Sequence, residues 1–329
     1  MSVTNRRFAV ATLLTGVIAG LVGLACIHLL HWIQALAWDM HSGTLLEAVS
    51  AASPARRVLN LVLGGILGAA SWFFLFRRSR AITSVSAAVG GTPMPPLRAT
   101  WHALTQVLIV GLGASVGREV APREMAAAFS AAAADRLGLT PEDRRIIVAC
   151  GAGAGLAAVY SIPISGAIYT LEILLVSRSR RAVAAAFCTS AIAVLISTGF
   201  TRPTPFYSVP TLTPSLSLTV FAALVGPLLG ATGWAFKQAV TRVGAARPRD
   251  WRLLATLPTA SFLVGVIAVW VPSVLGNGQA SAQTQFDAVW ATGAGLGLAA
   301  LVLAAKTVTT FLTIRAGGWG GVLTPAVAL

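Results

Sequence analysis

The chain has 329 residues, 56% of them hydrophobic and only 10% charged, with a formal net charge of +14. A soluble domain of this length carries about a quarter charged residues, so the composition excludes an ordinary soluble protein and defines an all-α integral membrane protein. The basic residues gather in clusters between apolar runs, at Arg6-Arg7, Arg56-Arg57, Arg77-Arg78-Arg80, Arg144-Arg145, Arg178-Arg180-Arg181 and Arg242 to Arg252. That placement suits cytoplasmic loops facing anionic headgroups, not nucleic acid. Arg56-Arg57 fits the pattern poorly, because a single span separates it from the clusters on either side.

Apolar runs of about 20 residues mark the spans in chain order. The first, Phe8 to Trp38, is long enough to cross with a strong tilt, and it is too long for the apolar part of a cleavable signal. Val58 to Phe76 follows. AITSVSAAVGGTPMPP is too short and broken to cross. Trp101 to Val116 runs up to a charged stretch, GASVGREVAPRE, and Met125 to Ala134 continues beyond it. Thr140, Pro141, Glu142 and Asp143 spell a helix start, and the helix from Ile146 is interrupted at Ile162-Pro163. Ile164 to Val176 and Val183 to Phe200 complete a first half, residues 1–200. Residues 201–214 hold four prolines and read as a linker. The second half, 215–329, has runs at Leu216 to Val243, Leu253 to Val271, a short piece near 286–292 and Leu296 to Leu312. A new apolar helix begins after GGWGG. Cys26, Cys150 and Cys188 have no pairing or metal spacing and read as small buried hydrophobes. No cofactor is implied.

Breaks with Gly and Pro at bilayer depth leave backbone groups unpaired, which is tolerated only inside protein or around a water-filled cavity. Broken helices and two halves point to a transporter or channel core. In GASVGREVAPRE the glycines lead to a possible helix start whose free N–H groups form a ready anion site. Glu119 would stand at that mouth and compete with an anion for those donors; protonation would remove it. The bland reading is an ion pair with Arg118 or Arg123. Thr92, in GGTPMPP, offers an uncharged hydroxyl where Gly and Pro forbid regular structure. Gly151, Gly153 and Gly155 suit close helix packing. Glu172 lies beside an arginine cluster, either capping a buried polar network or acting directly. GGWGGVLTP is another flexible approach to a helix start.

These four stretches, in this order, resemble the CLC family of chloride channels and proton-coupled chloride antiporters. GTPMP, GREVAP and GVLTP match the family's GSGIP, GREGP and GxFxP, and AxYSIPISGAIYTLE is similar to its alanine-rich segment with a terminal glutamate. The resemblance implies a CLC-type bundle of tilted and broken helices in two inverted halves, a multi-pass protein of the cell membrane, and a homodimer when complete. It implies that Glu119 is the gate, with Gly117 and Arg118 supporting it. Thr92 and the backbone amides of Val120, Ala121, Val322 and Leu323 are implied to contact the anion. The departures matter. Threonine replaces serine, GREVAP carries an extra residue, and Leu323 replaces phenylalanine. Glu172 is followed by Ile173 where antiporters often have a second carboxylate, which favours channel-like or weakly proton-coupled chloride transport. The alternatives are a strictly coupled proton/chloride antiporter and a secondary transporter of another anion. The second half is expected to be incomplete, lacking the family's later helices. A rival reading, a membrane serine hydrolase using Ser115 in G-x-S-x-G, needs a nearby histidine from among the four in the chain.

Overall fold

A computed structural model describes residues 3–78, 82–200, 206–209, 213–291 and 295–327. Arg80 and linker residues 201–205 and 210–212 lie outside the described residues. In chain order the helices are α1 (Val3–Trp38), α2 (Leu45–Ala51), α3 (Pro54–Arg78), α4 (Val85–Val89), α5 (Pro96–Gly111), α6 (Val120–Arg136), α7 (Pro141–Tyr160), α8 (Pro163–Tyr169), α9 (Arg180–Phe200), α10 (Leu216–Ala245), α11 (Leu253–Trp270), α12 (Gln279–Ala291), α13 (Gly295–Arg315) and α14 (Leu323–Val327). A π-helical turn, Thr170–Leu175, continues α8, and a 3-10 turn, Pro272–Val274, follows α11. Among the described residues six helices, α1, α3, α9, α10, α11 and α13, are long and apolar enough to cross a membrane. At about 1.5 Å per residue α1 is far longer than a bilayer's hydrocarbon core, long enough to cross with a strong tilt.

The chain forms two compact units that interleave along the sequence: 1–33, 74–108 and 118–204 in one, and 34–73, 109–117 and 205–329 in the other. In the first, α6 and α7 pack through alanine and glycine. A Cβ on Gly151 would lie 2.9 Å from the Ala126 carbonyl, and one on Gly155 would lie 2.6 Å from that of Pro122. Small side chains let two backbones approach this closely. The predicted N-cap of α7 is present, with the Thr140 hydroxyl accepting from the Asp143 amide at 3.2 Å. Arg181 grips Asp143 with two nitrogens, at 2.8 and 2.9 Å, with its guanidinium over the Phe8 ring.

In the second unit α3 meets α11 at Gly65 and Gly265, where added Cβ atoms would strike Pro258 and Val58. Here the awkward Arg56-Arg57 pair finds its explanation. Arg56 donates to the carbonyl of Ala37 at the end of α1. Buried Arg57 donates to Val49 and Ser50 in α2 and to Ala268 and Val269 at the end of α11. Both arginines cap helix C-termini, where carbonyls lack partners and the dipole favours a cation. The described part of the linker is docked: Tyr207 meets Phe286 edge to face at 5.7 Å, and Ser208 exchanges two hydrogen bonds with the Gln283 amide.

Several boundaries differ from the sequence expectation. α5 starts at Pro96 and stops at Gly111, earlier at both ends, because the chain from Leu112 to Glu119 is irregular. α12 starts at Gln279, well before 286. α2 was missed, although Thr44 and Glu47 form a complete capping box at its start, a signature legible in TLLE. Cys26 and Cys150 are buried as expected, while Cys188 is only half-buried.

Candidate functional site

In the first unit, α6 opens inside the protein. Glu119 is its N-cap residue and is 1% exposed. Its side chain makes no capping hydrogen bond to the helix. The Tyr160 hydroxyl donates to Glu119 Oε2 at 3.4 Å. Arg118 lies over the Tyr160 ring at 5.7 Å, and Arg123 hydrogen-bonds the Tyr169 hydroxyl while its guanidinium sits 4.7 Å above that ring. Ala121 is fully buried and Val120 half-buried. Thr92 lies in the non-helical stretch between α4 and α5, with its side chain exposed and its amide donating to the Ala87 carbonyl at 3.0 Å. Glu172 and Ile173 fall in the π-helical turn, both exposed, Ile173 at 65%.

In the second unit, two sequence motifs meet. Gly117 and Gly321 form an antiparallel bridge with amide-to-carbonyl bonds of 2.7 and 2.8 Å in the two directions. The stretch leading into GREVAP is therefore stitched to the one leading into GVLTP. A Cβ on Gly320 would lie 2.6 Å from Val116, so only glycine permits this approach. Gly113 has φ +104°, and its carbonyl accepts from the Gly276 amide at 2.9 Å; a side chain there would be strained and would also strike Trp38. α14 begins at Leu323, which is 51% exposed, and Val322 immediately precedes it, half-buried. The turn before it is braced by Trp319, over whose ring Arg247 and Arg249 lie at 4.6 and 5.7 Å. Burial, helped by the neighbouring Arg249 charge, pushes the Arg247 guanidinium down to about 10, so it stays charged at neutral pH.

The residue that sequence reasoning missed here is Lys306. Its side chain is fully buried on α13, and its ammonium donates to Ser115 Oγ at 2.9 Å and to the carbonyls of Val274 and Gly276 at 2.9 and 2.8 Å. Ser115 in turn meets the hydroxyls of Thr309 and Thr310. A lysine inside an apolar span is a functional signal by default, and KTVTT was there to be read. The Ser115 hydroxyl is thus engaged with a lysine and two threonines, not with a histidine as the hydrolase reading required. Replacing Lys306 by Met strands the carbonyls of Val274 and Gly276, each costing roughly 1–3 kcal/mol, against the desolvation of one ammonium, while Ser115 keeps its threonine partners. We expect Lys306→Met to lower the thermal unfolding midpoint by several degrees and Ser115→Ala to lower it less, as read by size-exclusion fluorescence on detergent-solubilised protein.

Broken helices opening at Gly- and Pro-rich motifs, one of them capped by a buried glutamate, define a multi-pass membrane transport protein. Residues 64–329 match the family model described as voltage gated chloride channel, and the chain belongs to that family. It is 28% identical over 342 residues to the voltage-gated ClC-type chloride channel ClcB of Escherichia coli O81 (strain ED1a), covering 98% of this chain and 78% of that protein. ClcB of Escherichia coli (strain SMS-3-5 / SECEC) is 27% identical with the same coverage. Among solved structures, a slow cyanobacterial Cl-/H+ antiporter superposes with a TM-score of 0.76 at 19% identity, over 97% of this chain and 76% of that one. A CLC-type fluoride/proton antiporter gives 0.72 at 20% identity, over 97% and 78%. These likenesses establish the CLC fold for the whole described chain.

Proposed function

We propose that this protein moves chloride, or a similar small anion, across the membrane with Glu119 as the gate, in a channel-like or weakly proton-coupled manner. The observation that carries the reading is the placement of Glu119. A carboxylate buried at the N-cap of α6 sits where the helix N-terminus would draw an anion, and protonation weakens its competition for that place. Thr92 and the amides of Val120 and Ala121 are the proposed anion ligands in the first unit, and the amides of Val322 and Leu323 in the second. Gly117 and Arg118 support the gate. Ile173 cannot carry a proton, and exposed Glu172 has no carboxylate beside it, which supports weak coupling. The division into halves 1–200 and 215–329, inverted with respect to each other and joined by 201–214, belongs to the same proposal, as does a homodimer in the lipid membrane.

The test is chloride efflux from proteoliposomes loaded with potassium chloride, with proton movement recorded in parallel. Chloride efflux with little or no proton counterflow is expected. A fixed chloride-to-proton ratio would establish strict antiport instead, and absence of any halide flux would sink the anion reading.

A further inference from the structure

α5 and α6 hold a second ionisable site that the gate reading does not use. His102 on α5 is fully buried and Glu124 on α6 nearly so. The imidazole Nδ1 lies 2.7 Å from Glu124 Oε2, and the Gln106 amide donates to the same oxygen at 2.9 Å. Gln106 Nε2 also lies 2.8 Å from Nδ1, which closes a three-membered polar cluster.

The electrostatics of this cluster are constrained. Glu124's hydrogen bonds go to one imidazole and one neutral amide. The charged groups nearby are committed elsewhere: Arg98 donates to the Leu75 carbonyl, Arg118 stacks on Tyr160, and Arg123 binds Tyr169. The surrounding helices carry further titratable groups, among them Cys26, His28 and His31 on α1, Glu119 at the start of α6, Cys150 and Tyr160 on α7 and Tyr169 on α8, while Asp135, Arg136 and Glu142 to Arg145 lie at the far end of α6 and the start of α7; Cys26 Sγ faces Met125 Sδ at 4.0 Å. An ionised carboxylate inside a membrane protein is very costly without a cationic partner, and here the imidazole is the group that can supply one. The pair must therefore hold a proton to be electrically neutral, either as imidazolium with carboxylate or as imidazole with carboxylic acid. The proton passes between His102 Nδ1 and Glu124 Oε2 without changing the net charge. Its loss to solution would leave one buried negative charge on the pair.

Glu124 lies five residues beyond Glu119 on the same helix, an axial rise of about 7.5 Å. At that range, in surroundings of low dielectric, a charge appearing at one carboxyl group is felt at the other. We propose that the buried His102–Glu124 pair holds an exchangeable proton and that its occupancy sets the pH at which the Glu119 gate opens. When the pair gives up its proton, the resulting negative charge favours the protonated, open form of Glu119. That extends opening to higher pH, with no carboxylate needed at position 173.

The inference rests on the gate reading of Glu119, and its test separates the two. Chloride efflux from proteoliposomes is measured across about pH 4 to 9 for the unsubstituted chain and for Glu124→Gln, which keeps the shape and removes the charge. The expected result is a midpoint displaced by about one unit toward acid, with maximal flux within about twofold, since the pathway itself is untouched. In the unsubstituted chain, nitrogen NMR of labelled histidines, with the His102 signal assigned by its loss in His102→Asn, is expected to show an imidazole that titrates in the same range. An unmoved midpoint in a folded, conducting Glu124→Gln protein overturns the inference, and so does a His102 signal fixed across the whole range. If Glu124→Gln fails to fold, the NMR titration of the unsubstituted chain decides. Absence of chloride flux from the unsubstituted chain refutes the gate reading itself, whatever His102 shows.

Discussion

Glu119→Gln is expected to raise chloride efflux by about tenfold at neutral pH and to flatten its pH profile. Glutamine has nearly the volume of protonated glutamate and no charge, so it mimics the open form permanently. The wild-type side chain is buried at the N-cap of α6, where the aligned peptide dipoles attract negative charge. A carboxylate and an incoming anion compete for that same field, and a neutral amide competes far less. A tenfold gain corresponds to removing roughly 1.4 kcal/mol of preference for the closed arrangement. The Tyr160 hydroxyl, which donates to Glu119 at 3.4 Å, can equally donate to the amide oxygen, so the fold should survive the change. Flux is followed with a chloride electrode at several external pH values. A substituted protein whose pH profile matches the unsubstituted one would show that Glu119 is not the group that gates.

Gly153→Ala is expected to be strongly destabilising. A Cβ at this position would lie 1.8 Å from Thr170 Oγ1 and 2.6 Å from the Gly166 carbonyl. Thr170 cannot swing away freely, because its hydroxyl donates to that carbonyl at 2.9 Å, and the carbonyl belongs to the backbone of α8. Relief requires α8 and the π-helical turn to move off α7, opening a core built from alanine and glycine. Overpacking of this kind costs about 3 kcal/mol, the upper end of the usual range. The measurement is thermal unfolding in detergent, with Gly199→Ala as a control, since a Cβ there meets nothing within 4 Å. Gly199→Ala should unfold like the unsubstituted chain while Gly153→Ala unfolds many degrees lower or does not accumulate; equal midpoints for the two would refute the packing argument.

Much of the architecture was legible because membrane insertion constrains sequence directly. The spans from Phe8, Val58, Leu216 and Leu253 reappear as α1, α3, α10 and α11 within a few residues, since each needs an uninterrupted apolar surface. Thr140 and Pro141 marked the start of α7 because unpaired amides at a helix end demand a local answer. The breaks at Ile162-Pro163 and after Gly321 were visible for the same reason. The start of α6 at Val120 followed from the glycines before it. α2 is marked by its capping box alone, because it lies outside any long apolar run.

What the linear pattern determined, then, was that the chain lives in a bilayer as broken helices and that a glutamate stands at one break; those are consequences of hydropathy and backbone hydrogen bonding acting over a few neighbouring residues. Only the tertiary structure decided how distant polar groups are used. It turned Arg56 and Arg57 into caps for three helix ends, bound Lys306 to Ser115 across 191 positions of sequence, joined Gly117 to Gly321, and paired His102 with Glu124. The physical reason is that burying a charge or an amide is tolerable only when a partner is within about 3 Å, and which partner arrives there depends on packing, not on spacing along the chain.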